Sequence, residues 1–270
     1  MNLYTYIVMT MIEKNEIAII VPIYKLPLSQ DDRICLNQLF KVMIGYDIIA
    51  IYPEILDITD VCKEYPLLIK HPMESFHFSS LRSYNKLVLS NSFYEAFSNY
   101  KYILINQLDT YIFNDNLCRW ANAGFDYVGA PFVPDKDKYW SCLRRLWCKL
   151  NFYLRRYRGT DPHHSQWYQV GNGGLCLRNV SKFQDITKKY RQQIDNDLSD
   201  EKDFYPEDLW LSFELKGSDR LKTPDWKTAL NFSIECSPKK CMETIGNKLP
   251  FGTHAWTLEK HRPFWQNYIK

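Results

Sequence analysis

The sequence predicts an α/β fold organised around a mostly parallel central sheet flanked by helices. Three observations predict it. Apolar runs of strand length alternate with segments of helical periodicity over residues 17–113. The runs are continuously apolar, as in Ile17-Ala-Ile-Ile-Val21 and Tyr102-Ile-Leu-Ile105, which marks strands covered on both faces. The second run also ends in an isolated acid, Asp109, before turning apolar again. A carboxylate is costly beside a buried strand unless it is paired or metal-bound.

Ile17 to Tyr24 reads as the first strand, stopped by Pro22 and the segment 25–27. Ser29 with Asp32 forms a capping box ahead of Leu36, Leu39, Phe40 and Met43 at helical spacing, and Gly45 stands near the expected stop. Asp47 to Tyr52 is the next strand, followed by a short helical turn over Ile58 to Tyr65. Leu67 to Lys70 then reads as a strand closed by His71-Pro72. Ser83 to Tyr100 outlines one helical apolar face through Tyr84, Leu87, Val88, Phe93, Tyr94 and Phe97, and the strand leading to Asp109 follows directly. This alternation implies right-handed crossovers and the architecture of a nucleotide-binding half-domain. Phe125 to Ala130 is a further strand, and mixed strands are expected in the second half. The expected organisation is a single domain, with a nucleotide-binding half over about 17–113 and an acceptor-binding, catalytic half over about 114–270.

Residues 138–158 change character. Trp140, Leu143, Trp147, Leu150 and Leu154 fall at helical spacing among Arg144, Arg145, Lys149, Arg155, Arg156 and Arg158. Two readings stand: a membrane-surface helix or anionic-acceptor site, and a helix packed on the domain with a solvated basic face. Residues 159–166 read as an exposed loop.

Composition is that of a globular protein, 46% hydrophobic and 24% charged, with a high aromatic share of 16%. The net charge of +3 is too small to argue for nucleic acid, and no nucleic-acid-binding motif is present. The eight cysteines form no Cys-x-x-Cys pair and no zinc spacing, so they read as reduced thiols. The apolar run Leu3 to Met11 is short and lacks a basic n-region, so a cytoplasmic location is expected, with contact at the inner face of the membrane through 138–158.

Four segments carry the chemistry: Asn106-Gln-Leu-Asp109, Val170-Gly-Asn-Gly-Gly-Leu-Cys-Leu-Arg178, Pro206-Glu-Asp-Leu-Trp210 and Pro250-Phe-Gly-Thr-His-Ala-Trp256. Asp109 can bind a metal or cap a turn. Gly171, Gly173 and Gly174 allow a tight bend or close approach to a ligand. Glu207 and Asp208 follow Pro206, where acids favour the helix dipole or serve as a base. His254 can ligate a metal or satisfy a local hydrogen bond, and Trp256 can stack on a sugar or fill the core.

Together and in this order, the four segments resemble the GT-A-fold glycosyltransferases, and more closely a bacterial family carrying Gln-Leu-Asp, Gly-Asn-Gly-Gly-x-x-Leu-Arg, Glu-Asp and Phe-Gly-x-His-Ala-Trp. The resemblance implies transfer of a sugar from a nucleoside-diphosphate sugar, with a UDP-sugar the expected donor, to a hydroxyl acceptor: a surface glycan or its lipid-linked precursor. It implies a divalent metal, Mn²⁺ or Mg²⁺, on Asp109 and His254, with Asp208 or Glu207 as the base of an inverting reaction. Val21, Pro22, Tyr24, Gln107 and Asp109 would border the donor, and Asn172, Gly173, Gly174 and Trp256 the sugar or acceptor; Arg82 and Lys86, one helical turn apart, can contact the donor phosphates or form a solvated surface pair. Gln107 departs from the pattern, standing where the fold class commonly has the first acid of Asp-x-Asp. A non-catalytic nucleotide- or glycan-binding protein and a sugar nucleotidyltransferase are the rival readings; the latter calls for a Gly-rich loop after the first strand, where Lys25 to Ser29 has no glycine.

Overall fold

A computed structural model describes residues 11–134, 141–158, 167–199, 205–215 and 221–269. Most of the run Leu3 to Met11, the loop 159–166 and residues 138–140 lie outside the described residues.

The first half follows the alternation: β1 (Ile17–Pro22), α1 (Gln30–Val42), β2 (Asp47–Pro53), α2 (Thr59–Glu64), β3 (Ile69–Met73), α3 (Leu81–Val88), α4 (Asn91–Ala96) and β4 (Tyr102–Asn106). The second half adds β5 (Tyr111–Ile112), α5 (Leu117–Asn122), β6 (Tyr127–Gly129), α6 (Cys142–Arg158), β7 (Leu175–Asn179), α7 (Val180–Lys189) and α8 (Arg191–Asp197). After these come α9 (Glu207–Glu214), α10 (Trp226–Leu230), β8 (Ser233–Ile234), α11 (Pro238–Thr244), β9 (Gly252–Thr253) and α12 (Arg262–Trp265).

Two local expectations change. The strand expected to stop before His71-Pro72 runs through both residues. It is the outermost strand of the sheet order β3-β2-β1-β4-β7-β6, where a proline costs no ladder bond. The single helix expected over 83–100 is two, because Ser90 leaves the helix and its side chain accepts from the Phe93 N–H to start α4. The capping box of α1 forms as read: Asp32 N–H donates to the Ser29 hydroxyl and Ser29 N–H to the Asp32 carboxylate.

In the six-stranded sheet β3, β2, β1 and β4 are parallel, and β7 enters antiparallel to β4. Side chains alternate across it: Ile17, Ile19 and Val21 join one apolar cluster with Leu36 and Leu104, while Ala18 and Ile20 join another with Phe93, Phe183 and Trp210. A second, three-stranded sheet, β5-β9-β8, is built from two-residue strands and backed by Trp256 and Trp265. It meets the first at Gly252, where a Cβ would stand 2.7 Å from Leu175 of β7.

Candidate active site

The Gln107-Leu-Asp109 turn leaves the end of β4 and is closed by Thr110, whose N–H and hydroxyl donate to the Gln107 carbonyl at 3.2 and 2.8 Å. The Gln107 N–H donates to the Gly174 carbonyl (2.9 Å), extending the β4–β7 ladder by a residue and drawing the glycine loop alongside. The small sheet delivers the opposite wall. β9 pairs with both β5 and β8, and the His254 N–H donates to the Ile234 carbonyl, so His254 faces Asp109 and Glu235 lies behind it.

His254 Nε2 lies 3.2 Å from Asp109 Oδ1 and 3.3 Å from Gln107 Oε1. Its Nδ1 lies 3.4 Å from Glu235 Oε1 and 3.0 Å from Asn172 Nδ2. Asn172 is buried and fixed. Its Oδ1 accepts from the Gly174 and Leu175 N–H groups, which turns its amide nitrogen towards the ring and Glu235. Burial works against charge on His254, but hydrogen bonds to Asp109 and Glu235 outweigh it and push the imidazole up to about 10. The same bonds hold both carboxylates below their usual range against their own burial.

The glycines make this packing possible. A Cβ on Gly174 would stand 2.1 Å from His254 Nε2, one on Gly173 2.3 Å from Glu207 Oε1, and one on Gly171 2.4 Å from the Phe132 ring. Each glycine is therefore the floor under a side chain that arrives from elsewhere in the sequence.

Glu207 and Asp208, the first two residues of α9, have unlike surroundings. Arg178 is fully buried on β7. It donates through Nη2 to Glu207 Oε1 (2.8 Å), through Nη1 to the Val88 carbonyl and the Tyr94 hydroxyl, and lies against the Phe183 and Tyr127 rings. The Glu207 N–H donates to Asn85 of α3, and Glu207 Oε2 has no partner among the described residues. Asp208 has no such cation. Burial first, then the charges of Glu207 and Glu235, push it up to about 7.

A cavity of about 580 Å³ opens from Gln107 and Asp109 towards Pro22, Tyr24, Ser80 and Tyr84. Other expected donor residues lie outside its wall. Val21 is fully buried within β1, and Arg82 donates to the Ser199 carbonyl while sitting on α3 with Lys86. Trp256 corrects another expectation: it is 3% exposed, donates to Cys35 Sγ and packs against Tyr111 and Arg262, so no ring face is open to a sugar. A second cavity of about 480 Å³ is lined by Arg145, Lys149, Trp167, Tyr168, Leu211 and Ser212. The last two stand one helical turn beyond Asp208 on α9, on the same face.

The fold class implies a divalent ion. Among the described residues no three His, Cys, Asp or Glu side chains are grouped to hold one. What converges is a carboxylate, an imidazole and the Gln107 amide oxygen. Nε2 lies 3.2 and 3.3 Å from the other two as the hydrogen-bonding nitrogen of a ring that holds its proton to about pH 10. Two oxygens and an imidazole fit a Mn²⁺-type ion, which would engage Nε2 only by displacing the proton it shares with Asp109.

Reading the sequence missed Glu235 and the role of Arg178. Glu235 had the same signal as Asp109, an acid ending the apolar run Phe232-Ser-Ile, and Arg178 was a cation ending a buried strand that required an anion.

Comparison with known proteins follows the same lines. A family profile described as "Protein of unknown function (DUF5672)" matches residues 69–254. No curated protein matches the chain. Among solved structures, galactosyltransferase LgtC with donor and acceptor sugar analogues is similar at TM-score 0.56 and 11% identity, over 94% of this chain and 96% of that one. Glycosyltransferase GlyE of Streptococcus pneumoniae TIGR4 is similar at TM-score 0.51 and 10% identity, over 95% of this chain and 60% of that one. Against the apo form of GlyE the chain spans 54% of that protein's length, at TM-score 0.50, 10% identity and 89% of this chain. The likeness is one of fold: a mostly parallel central sheet with flanking helices, as in GT-A glycosyltransferases.

Proposed function

The chain belongs to the DUF5672 family, and from the site it builds we propose that it is a glycosyltransferase moving a sugar from a nucleoside-diphosphate sugar to a hydroxyl acceptor. The observation that carries this reading is the convergence of His254 on Gln107 and Asp109, which line a cavity of about 580 Å³; Asp208, raised to about 7, is close enough to feel the charges of Glu235 and His254. A nucleotide matches a cleft of that size, in the range of small-molecule sites. Asp109, His254 and Gln107 would hold the divalent ion, with Glu235 and Asn172 orienting the imidazole from behind. When bound, the ion supplies neutralisation of charge on the departing diphosphate.

Asp208 is the base. A group titrating near neutral pH combines a useful ionised fraction with a worthwhile affinity for the acceptor proton. Glu207 is held by Arg178 and buried, and is the weaker candidate. The second cavity, one turn along α9, receives the acceptor. Deprotonation of the acceptor for in-line attack gives inversion at the anomeric carbon. A UDP-sugar donor and a surface-glycan or lipid-linked acceptor complete the reading.

The test is a thermal-shift screen of nucleoside diphosphates with and without Mn²⁺, followed by nucleotide release from the matching sugar donor. One nucleotide should raise the unfolding midpoint in a metal-dependent way, and Asp109→Ala should abolish both the shift and turnover. Turnover by Asp109→Ala at the wild-type rate would remove the reading, and a product retaining the donor's anomeric configuration would remove the assignment of Asp208.

A further inference from the structure

Helix α6 presents its apolar side to water. Leu143, Leu146, Trp147, Leu150 and Leu154 are exposed, Leu143 to 82% and Leu146 to 66%. At about 100° per residue these five fall within a stripe of roughly 100° and run about 16 Å along the axis. Cys148, on the opposite side, is buried at 4% exposure, so the helix packs on the body through its other face. Residues 142–158 contain Arg144, Arg145, Lys149, Arg155, Arg156 and Arg158 and no acid, on a chain whose net charge is only +3. The rest of the molecule is therefore net negative, and at about 100° per residue Arg144 and Lys149 flank the exposed stripe, one on each side.

We propose that α6 is an interfacial helix that docks the protein on an anionic lipid bilayer, laying the Leu143–Leu154 stripe among the acyl chains with the flanking Arg144 and Lys149 at headgroup level. An apolar stripe bordered by cations is what such a surface recognises. A second copy of the chain is the poorer occupant, because face-to-face pairing would oppose two sets of cations. No helix among the described residues is long and apolar enough to cross a membrane. The docking does not depend on the glycosyltransferase reading; its consequence does. Arg145, Leu146 and Lys149 also line the cavity assigned to the acceptor, so docking brings that cavity to the headgroups and makes an anionic, lipid-linked acceptor the substrate class.

The experiment is co-sedimentation of the full chain with vesicles of phosphatidylcholine alone or with phosphatidylglycerol as about a third of the lipid, at low and high salt. The chain should sediment with the anionic vesicles and be released by salt. Arg144→Gln with Lys149→Gln should weaken binding about thirtyfold, from roughly fivefold per cation near the surface. Leu143→Asn, Trp147→Asn and Leu150→Asn together should abolish it, with an unchanged unfolding midpoint as the control for folding. Equal binding to neutral vesicles, undiminished binding by the triple variant, or no binding at low salt would overturn the proposal. A wild-type dimer in light scattering that becomes monomeric in the triple variant, with no vesicle binding by either, would assign the face to self-association instead. Sedimentation involves no turnover, so its failure leaves the catalytic reading intact and the reverse also holds.

Discussion

Replacing Asp208 by Asn should make the protein more stable and less active, and both effects follow from one carboxyl. Its value of about 7, against the ordinary 3.8, means that between those limits the folded chain holds a proton the unfolded chain has released. Stability contributed at this position therefore falls as pH rises across the window, by at most about 4 kcal/mol at 1.36 kcal/mol per pH unit. The residue is partly accessible, and allowing for solvent relaxation reduces this to about 2 kcal/mol. Asn carries no titrating proton and keeps the oxygen that accepts the Leu209 N–H at 2.7 Å. Urea denaturation of both proteins should show Asp208→Asn more stable by about 2 kcal/mol near pH 8, with the difference closing towards about pH 4. Turnover should fall by about 10²–10⁴, the usual worth of a positioned base, and the wild-type rate should rise through an acidic limb near neutral pH. A stability difference that does not change with pH would refute the argument, because it would mean that Asp208 does not titrate differently in the two states.

Three further outcomes are expected. Gly174→Ala should displace the His254 ring, costing about 1–3 kcal/mol in unfolding free energy and removing the Mn²⁺-dependent thermal shift; an unchanged shift would show that the ring is not the ligand. Arg178→Gln should cost about 3–5 kcal/mol in urea denaturation by leaving Glu207 buried without its cation, and adding Glu207→Gln should restore a large part of that loss. Gln107→Asp should tighten Mn²⁺ binding by about tenfold or more in calorimetry, because a second carboxylate then faces Asp109 and His254; equal affinity would mean that residue 107 is not a ligand.

Most of the first half was legible because β1, β2 and β4 are continuously apolar and α1 carries its own cap in Ser29 and Asp32; β3, with Lys70, His71 and Pro72, was the exception. The small sheet was not, since strands of two residues such as Tyr111–Ile112 and Gly252–Thr253 have no periodicity to read. Asp109 was legible as a candidate because a polar group ending an apolar run needs a reason, whereas His254 was reached through its motif. Glu207 and Asp208 could not be told apart as neighbours in sequence. What separates them is Arg178, which approaches only one of the two and belongs to a strand some thirty residues earlier. Trp256 illustrates the opposite failure, for its motif position suggested contact with a ligand while the rings and cation around it make it core.

The paired glycines at 173 and 174 have a use beyond this molecule. Their hydrogens leave space that Glu207 and His254 occupy, so each glycine acts as a remote record of a side chain found far along the sequence. In a related chain with a larger residue at the position of Gly174, His254 would have to be elsewhere, and the proposed ion site would be lost even with its own motif intact. The walls of the larger cavity at Tyr24, Phe78 and Leu81 carry no such linkage. Diversification of donor choice, in nature or in a directed library, would therefore be concentrated on those walls and leave the two glycines alone.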